Sequence, residues 1–116
     1  MKHININRNR GFFKPLLQSS SVQSAIMVLR PGQSSNEEVE NEHPRAEQWL
    51  FVISGHGTAH VGRRTVHLKP GSLLLIEKKE PHKVTNTGHA QMVTLNLYAP
   101  PAYTAEGEVR PSAASE

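Results

Sequence analysis

Seven histidines and ten acidic residues, every one of them glutamate, are the groups of this 116-residue chain able to ligate a metal or move a proton near neutral pH. Imidazole does both: it titrates near pH 7 and binds zinc, nickel, copper, iron or manganese. Aspartate and cysteine are absent, which removes Ser-His-Asp triads, aspartyl dyads, EF-hand loops, thiolate zinc sites, iron–sulfur clusters and cysteine nucleophiles. Two stretches gather the useful side chains: Asn41-Glu42-His43-Pro44-Arg45-Ala46-Glu47-Gln48 and Pro81-His82-Lys83-Val84-Thr85-Asn86. Side chains of an extended segment alternate between faces, so Asn41 and His43 point one way and Glu42 the other. By the same rule Gln48, Leu50 and Val52 share one face, and Trp49, Phe51 and Ile53 the opposite one. With Gln48 turned inward, Glu47 turns away, which makes Glu42 and Glu47 poor substitutes for a ligand unless the loop at Pro44 breaks the phase. His60 and His67 read as surface or supporting residues, and His3, His56 and His89 as solvated.

Such positions need strands to hold them. Runs rich in Val, Ile, Leu and Thr occupy 22–29, 48–53, 58–61, 65–68, 73–76, 82–86 and 91–98. Turn signals separate them: Pro31-Gly32, Ser54-Gly55-His56-Gly57, Gly62-Arg63-Arg64, Pro70-Gly71 and Thr87-Gly88-His89. Short strands at this spacing predict an all-β sandwich or barrel. Residues 33–42 are polar and acidic, a loop. The expected organisation is an N-terminal segment over 1–21 that could add an edge strand, a barrel over 22–103, and a flexible tail over 104–116 rich in Ala, Glu, Gly, Pro and Ser. The net charge is +3, yet the basic residues fall in scattered pairs and aromatics make up only 5%, so no nucleic-acid partner is expected. No apolar run approaches the ~20 residues of a spanning helix, and the basic N-terminus lacks the apolar core of a signal peptide. The expected location is cytoplasmic, with no membrane partner.

Taken in order, the two stretches resemble the two motifs of the cupin superfamily. The first motif runs Gly, His-x-His, Glu, then six residues to a Gly. Here Gln48 stands at the Glu position ahead of Gly55, His43 at the second His and Asn41 at the first. The second motif has a Gly and a strand, then Pro-x-Gly-x-x-His-x-x-x-Asn. Gly71, His82 and Asn86 match it, while Glu77 and Lys79 replace the Pro and Gly. The resemblance covers about 22–103 and implies a single-domain jelly-roll β-barrel. It further implies a divalent transition metal ion (Zn, Ni, Mn or Fe) in the lumen on His43, His82, Gln48 and Asn41. None of these four is anionic, so water or an anionic substrate is expected to balance the charge. The blocks 46–52 and 96–103 resemble, more narrowly, the cupins of tetracenomycin polyketide synthesis. On that footing the chain is a small metal-binding cupin that binds or acts on a small cyclic, polyketide-like molecule, the metal polarising a carbonyl. The alternative is a non-catalytic ligand-binding or sensing cupin with weak or no metal.

The outward face Trp49, Phe51, Ile53 is wholly apolar. A second copy of the chain is the simplest cover, which predicts a homodimer, with residues 4–13 as the competing cover.

Overall fold

The structure, a computed structural model, describes residues 1–8 and 11–114, so residues 9–10 of the N-terminal segment and 115–116 of the tail lie outside the described residues. Eight strands follow a short 3-10 turn at Ile6–Arg8: β1 (Phe13–Gln18), β2 (Gln23–Leu29), β3 (Glu47–Ser54), β4 (Gly57–Val61), β5 (Arg64–Leu68), β6 (Leu73–Ile76), β7 (His82–Asn86) and β8 (Met92–Ala99), with a final turn of helix α1 (Pro111–Ala114). The last seven strands are those expected, with ends shifted by a residue at most. β1 lies inside the segment over 1–21 and carries Pro15, a residue that suits only a strand with one side unpaired. It is an edge strand, and its pairing with β2 is irregular between Pro15 and Gln18.

Two antiparallel sheets face each other, one ordered β1-β2-β8-β3-β6 and the other β5-β4-β7. This is the expected jelly-roll arrangement. Its core draws Met27, Leu29, Leu50, Val52 and Met92 from the first sheet and Ala59, Leu68 and Val84 from the second. Alternation along β3 is as the sequence requires: Gln48, Leu50 and Val52 are buried, while Trp49 and Phe51 are exposed on the outer side. Among the described residues no helix is long and apolar enough to cross a membrane.

Two segments without regular structure build the barrel's mouth. The acidic loop runs beside β7, where Ser34 bridges Thr85 and Glu40 bridges His82. Hydrogen bonds from Ser35 N–H to the Val84 carbonyl (2.8 Å) and from His82 N–H to the Glu40 carbonyl (2.8 Å) stitch it down. The loop expectation holds, but backbone pairing gives this loop a defined course.

Residues 104–114, read from composition as part of a tail, are placed against the barrel. Tyr103 bridges Val109, and Ala113 is buried with Ala25, Ala46, Tyr98 and Tyr103. Composition did not show this because the anchor lies far away, on β2. Buried Gln23 accepts N–H bonds from Ala102 (3.1 Å) and Tyr103 (2.9 Å) through Oε1 and donates Nε2 to the Tyr103 carbonyl (2.8 Å). Arg110 Nε adds a bond to the same carbonyl at 2.8 Å.

Replacing Gln23 by Leu strands those buried backbone groups, at about 1–3 kcal/mol for each one left unpaired. Gln23→Leu is expected to lower the unfolding free energy and to strip amide hydrogen-exchange protection from Ala102 and Tyr103. Unchanged protection there would show that the clamp lies elsewhere.

Candidate metal and ligand site in the barrel lumen

His43 and His82 come from different elements and meet inside the barrel, with ring centroids 5.1 Å apart. His43 leaves the acidic loop through a local turn: Asn41 Oδ1 accepts the His43 N–H at 2.8 Å, an Asx-type bond that reverses the chain just before Pro44. The His43 ring is 1% exposed, with Nδ1 at 3.2 Å from the Ala46 carbonyl. A carbonyl oxygen only accepts, so Nδ1 carries the proton, and in the neutral imidazole Nε2 is left with a lone pair. His82 opens β7 and follows the same rule, its Nδ1 donating to the Glu80 carbonyl at 3.0 Å. A tight turn holds that carbonyl: Glu80 N–H bonds the Glu77 carbonyl at 3.1 Å, and Glu77 N–H bonds Glu80 Oε1 at 2.8 Å. Lys79 in this turn has a φ of 71°, in the left-handed region, which accounts physically for the glycine of the motif at that position.

Gln48, 4% exposed, completes the inner group, with Oε1 at 3.0 Å from His43 Nε2. The four residues expected as ligands therefore divide. His43, His82 and Gln48 converge on the lumen, whereas the oxygen of Asn41 is engaged in the turn and its Nδ2 is buried without a hydrogen-bond partner. Asn86, the match to the end of the second motif, is structural. Its Nδ2 donates to the Leu29 and Ala90 carbonyls (both 2.8 Å), and its Oδ1 accepts from Gly88 N–H at 2.9 Å.

Beside this group lies a pocket of about 220 Å³, lined by Phe12, Phe13, Met27, Glu40, Glu42, Gln48, His82, Tyr98 and Tyr103 among others. No Lys or Arg lines it among the described residues. Glu42, set aside by strand alternation, enters it because Pro44 and the turn break the extended phase; Tyr103 O–H donates to its Oε1 at 2.6 Å. Glu47 does face away, and accepts the Trp49 indole N–H at 2.7 Å on the outer surface. Tyr98 comes from β8, and Tyr103 from the segment just after it. Burial pushes both phenols far above their ordinary range, so they stay protonated. Loss of hydration lowers the His82 pKa below 6.5; the Glu80 carbonyl bond opposes this, His43 adds to it, and Glu42 and Glu80 oppose it more weakly.

The donor set suits a divalent transition ion. Two imidazole nitrogens with their other N–H committed to carbonyls are oriented as metal-bound histidines are. The 3.0 Å between His43 Nε2 and Gln48 Oε1 matches the spacing of adjacent ligands about 2.0–2.2 Å from one ion. The set is nonetheless lean: among the described residues no three His, Cys, Asp or Glu side chains are grouped to hold an ion.

An eight-stranded jelly roll with paired histidines in its lumen defines a cupin-type barrel. The chain belongs to the cupin-domain family, whose profile matches residues 25–98. It is 29% identical over 108 residues to the uncharacterized protein YrkC of Bacillus subtilis, a match that takes in 84% of this chain and 56% of that protein, so the chain spans about half the length of this curated relative. Among solved structures it superposes on BH2720 from Bacillus halodurans with a TM-score of 0.79 and 28% identity, covering 94% of this chain and 87% of that one. TT1209 from Thermus thermophilus gives a TM-score of 0.75 at 22% identity, covering 86% and 98% respectively, a likeness of fold.

The lowered His82 pKa has a definite sign for stability. Between the folded value and 6.5 the unfolded chain binds the extra proton, so stability present above pH 6.5 is lost as pH falls below it. Urea denaturation of metal-free protein is expected to give a midpoint that declines as pH falls below about 6.5, and His82→Gln is expected to flatten that decline. A midpoint equally steep in both proteins would assign the effect to other groups.

Proposed function

We propose that the chain is a small metal-binding cupin whose lumen takes a compact organic ligand beside the ion. His43 and His82 serve through Nε2 and Gln48 through Oε1. The observation that carries this is the commitment of both Nδ1–H groups to backbone carbonyls, of Ala46 and Glu80, beside a buried amide oxygen. Zn, Ni, Mn or Fe would accept the set, and an ion held there polarises a bound carbonyl oxygen. Asn41 is left outside the ligand set; its unpartnered Nδ2 is a donor that an acceptor atom of a ligand or water would satisfy.

Size and charge narrow the ligand. The pocket of about 220 Å³ falls below the roughly 300–1,000 Å³ of sites for drug-sized molecules, which favours a single ring over a fused polyketide skeleton. Glu40 and Glu42 already supply negative charge, with no Lys or Arg among the described lining residues. That favours a neutral or cationic ligand over the anionic one expected from the ligand set alone. A second reading, a binding or sensing cupin that performs no turnover, is supported by the presence of only two ionisable ligands, His43 and His82.

We also propose a homodimer formed through the outer face of the five-stranded sheet. Trp49 lies opposite Leu75 on β6 and Leu97 on β8, and Phe51 lies opposite Leu73. These five side chains remain 37–65% exposed, so the described residues of the same chain leave them uncovered, residues 9–10 of the competing segment 4–13 lying outside the described residues. Burying each contributes roughly 1.5–3 kcal/mol.

Mass spectrometry of the metal content is expected to find a divalent transition ion in the wild type and in Glu47→Ala, and none in His82→Ala. An equal metal content in His82→Ala would overturn the ligand assignment. In sedimentation at micromolar concentration the wild type is expected as a dimer and Trp49→Glu as a monomer; a monomeric wild type would sink the dimer.

A further inference from the structure

Behind Gln48 the barrel wall holds two more fully buried polar side chains, Asn96 and Thr94 on β8, both 0% exposed. Polar groups in such a place are costly unless hydrogen-bonded. Here they form one directed chain, and its direction is set at the far end. The Met27 carbonyl can only accept, so the Thr94 hydroxyl donates to it at 3.3 Å. The same hydroxyl oxygen accepts from Asn96 Nδ2 at 3.0 Å, and that amide nitrogen also reaches the Thr94 carbonyl at 3.5 Å. Asn96 therefore turns its Oδ1 toward β3, where it accepts from Gln48 Nε2 at 2.9 Å. Gln48 is left with only its oxygen to present to His43 Nε2, 3.0 Å away. The opposite direction would forfeit the bonds to the Met27 and Thr94 carbonyls.

His43 is constrained from its other side as well. Its Nδ1–H is committed to the Ala46 carbonyl, so in the neutral imidazole Nε2 faces the Gln48 oxygen with a lone pair. With the ring neutral, an otherwise satisfied chain thus ends in two electron pairs facing each other, a contact relieved by a proton on Nε2 or by a metal ion placed against both atoms. Gln48 has no freedom to relieve it by rotating its amide, because Asn96 holds the NH2 end.

We infer that Asn96 and Thr94 are positioning residues that lock Gln48 with its carboxamide oxygen toward His43 and so make a neutral side chain serve as the oxygen donor for a divalent cation. This rests on the metal reading above and adds to it a means by which an amide stands in for a carboxylate. The hydroxyl of Thr94 is the pivot, as it donates to one sheet neighbour and accepts from Asn96. A valine has the same shape without either capacity.

The test is isothermal titration of Zn²⁺ into the metal-stripped full chain, with carbon-detected NMR of the Gln48 side-chain carbonyl. Thr94→Val is expected to bind Zn²⁺ about 10–100-fold more weakly, the usual effect of removing a group that orients a metal ligand. Thr94→Ser, which keeps the hydroxyl, is expected to restore wild-type affinity; a merely structural role for the residue predicts no such rescue. In the wild type the Gln48 carbonyl resonance is expected to move on Zn²⁺ addition, a measurement that stands even where Thr94→Val fails to fold. Wild-type affinity in Thr94→Val, or a Gln48 resonance that stays put while Zn²⁺ binds, would overturn the positioning role and leave the metal site standing. A wild type that takes up no Zn²⁺ would overturn both.

Discussion

Gln48 lies opposite Tyr98 where β3 pairs with β8, and that register decides which side chains of both strands enter the lumen. Strand side chains alternate with a period of two, so a slip by one residue would exchange the two faces completely. Gln48, Leu50 and Val52 would leave the interior and Trp49 and Phe51 would enter it. In register, the inner face carries Gln48 and Asn96 beside Leu50, with Thr94 opposite Val52 further along. The same pairing sets Trp49 between Leu75 and Leu97 on the outside. One register therefore supplies both a polar group for the lumen and an apolar surface on the outer side.

The mouth is assembled from irregular chain, and its chemistry follows from how backbone groups are satisfied there. His82 exchanges backbone bonds with Glu40, which brings the acidic loop beside the second histidine. Gln23 captures the backbone at Ala102 and Tyr103, which brings a phenol to Glu42. A chain with a net charge of +3 thus presents a pocket whose charged lining is acidic. Net charge is a property of the whole surface, whereas ligand choice is governed by the groups within reach of the pocket.

The inner side chains combine strong orientation with little charge. Each imidazole is held by a carbonyl at Nδ1, and the amide opposite is held by a second amide. In the usual cupin pattern a glutamate would bring its own charge to the ion. In the proposed metal site orientation would compensate for that absent charge, and the carboxylate of Glu42 stands at the pocket rather than on the barrel wall.

Much of this was legible in the sequence. Glycine and proline punctuation delimited seven strands, and two-residue alternation set the inward and outward faces of β3, because both are local effects of backbone sterics and pleat. The motif spacing brought His43, His82 and Gln48 to one lumen. Three matters were decided only by the tertiary structure. Asn41 spends its oxygen on the His43 N–H, Glu42 turns into the pocket, and residues 103–113 fold back over the mouth. Each depends on a partner distant in the chain or on a turn that breaks the extended phase. Hydrogen bonds such as Gln23 to Tyr103, 80 residues apart, leave no mark on composition or periodicity. Local preference is written along the chain, while the satisfaction of buried polar groups is settled by whatever the fold brings within 3 Å of them.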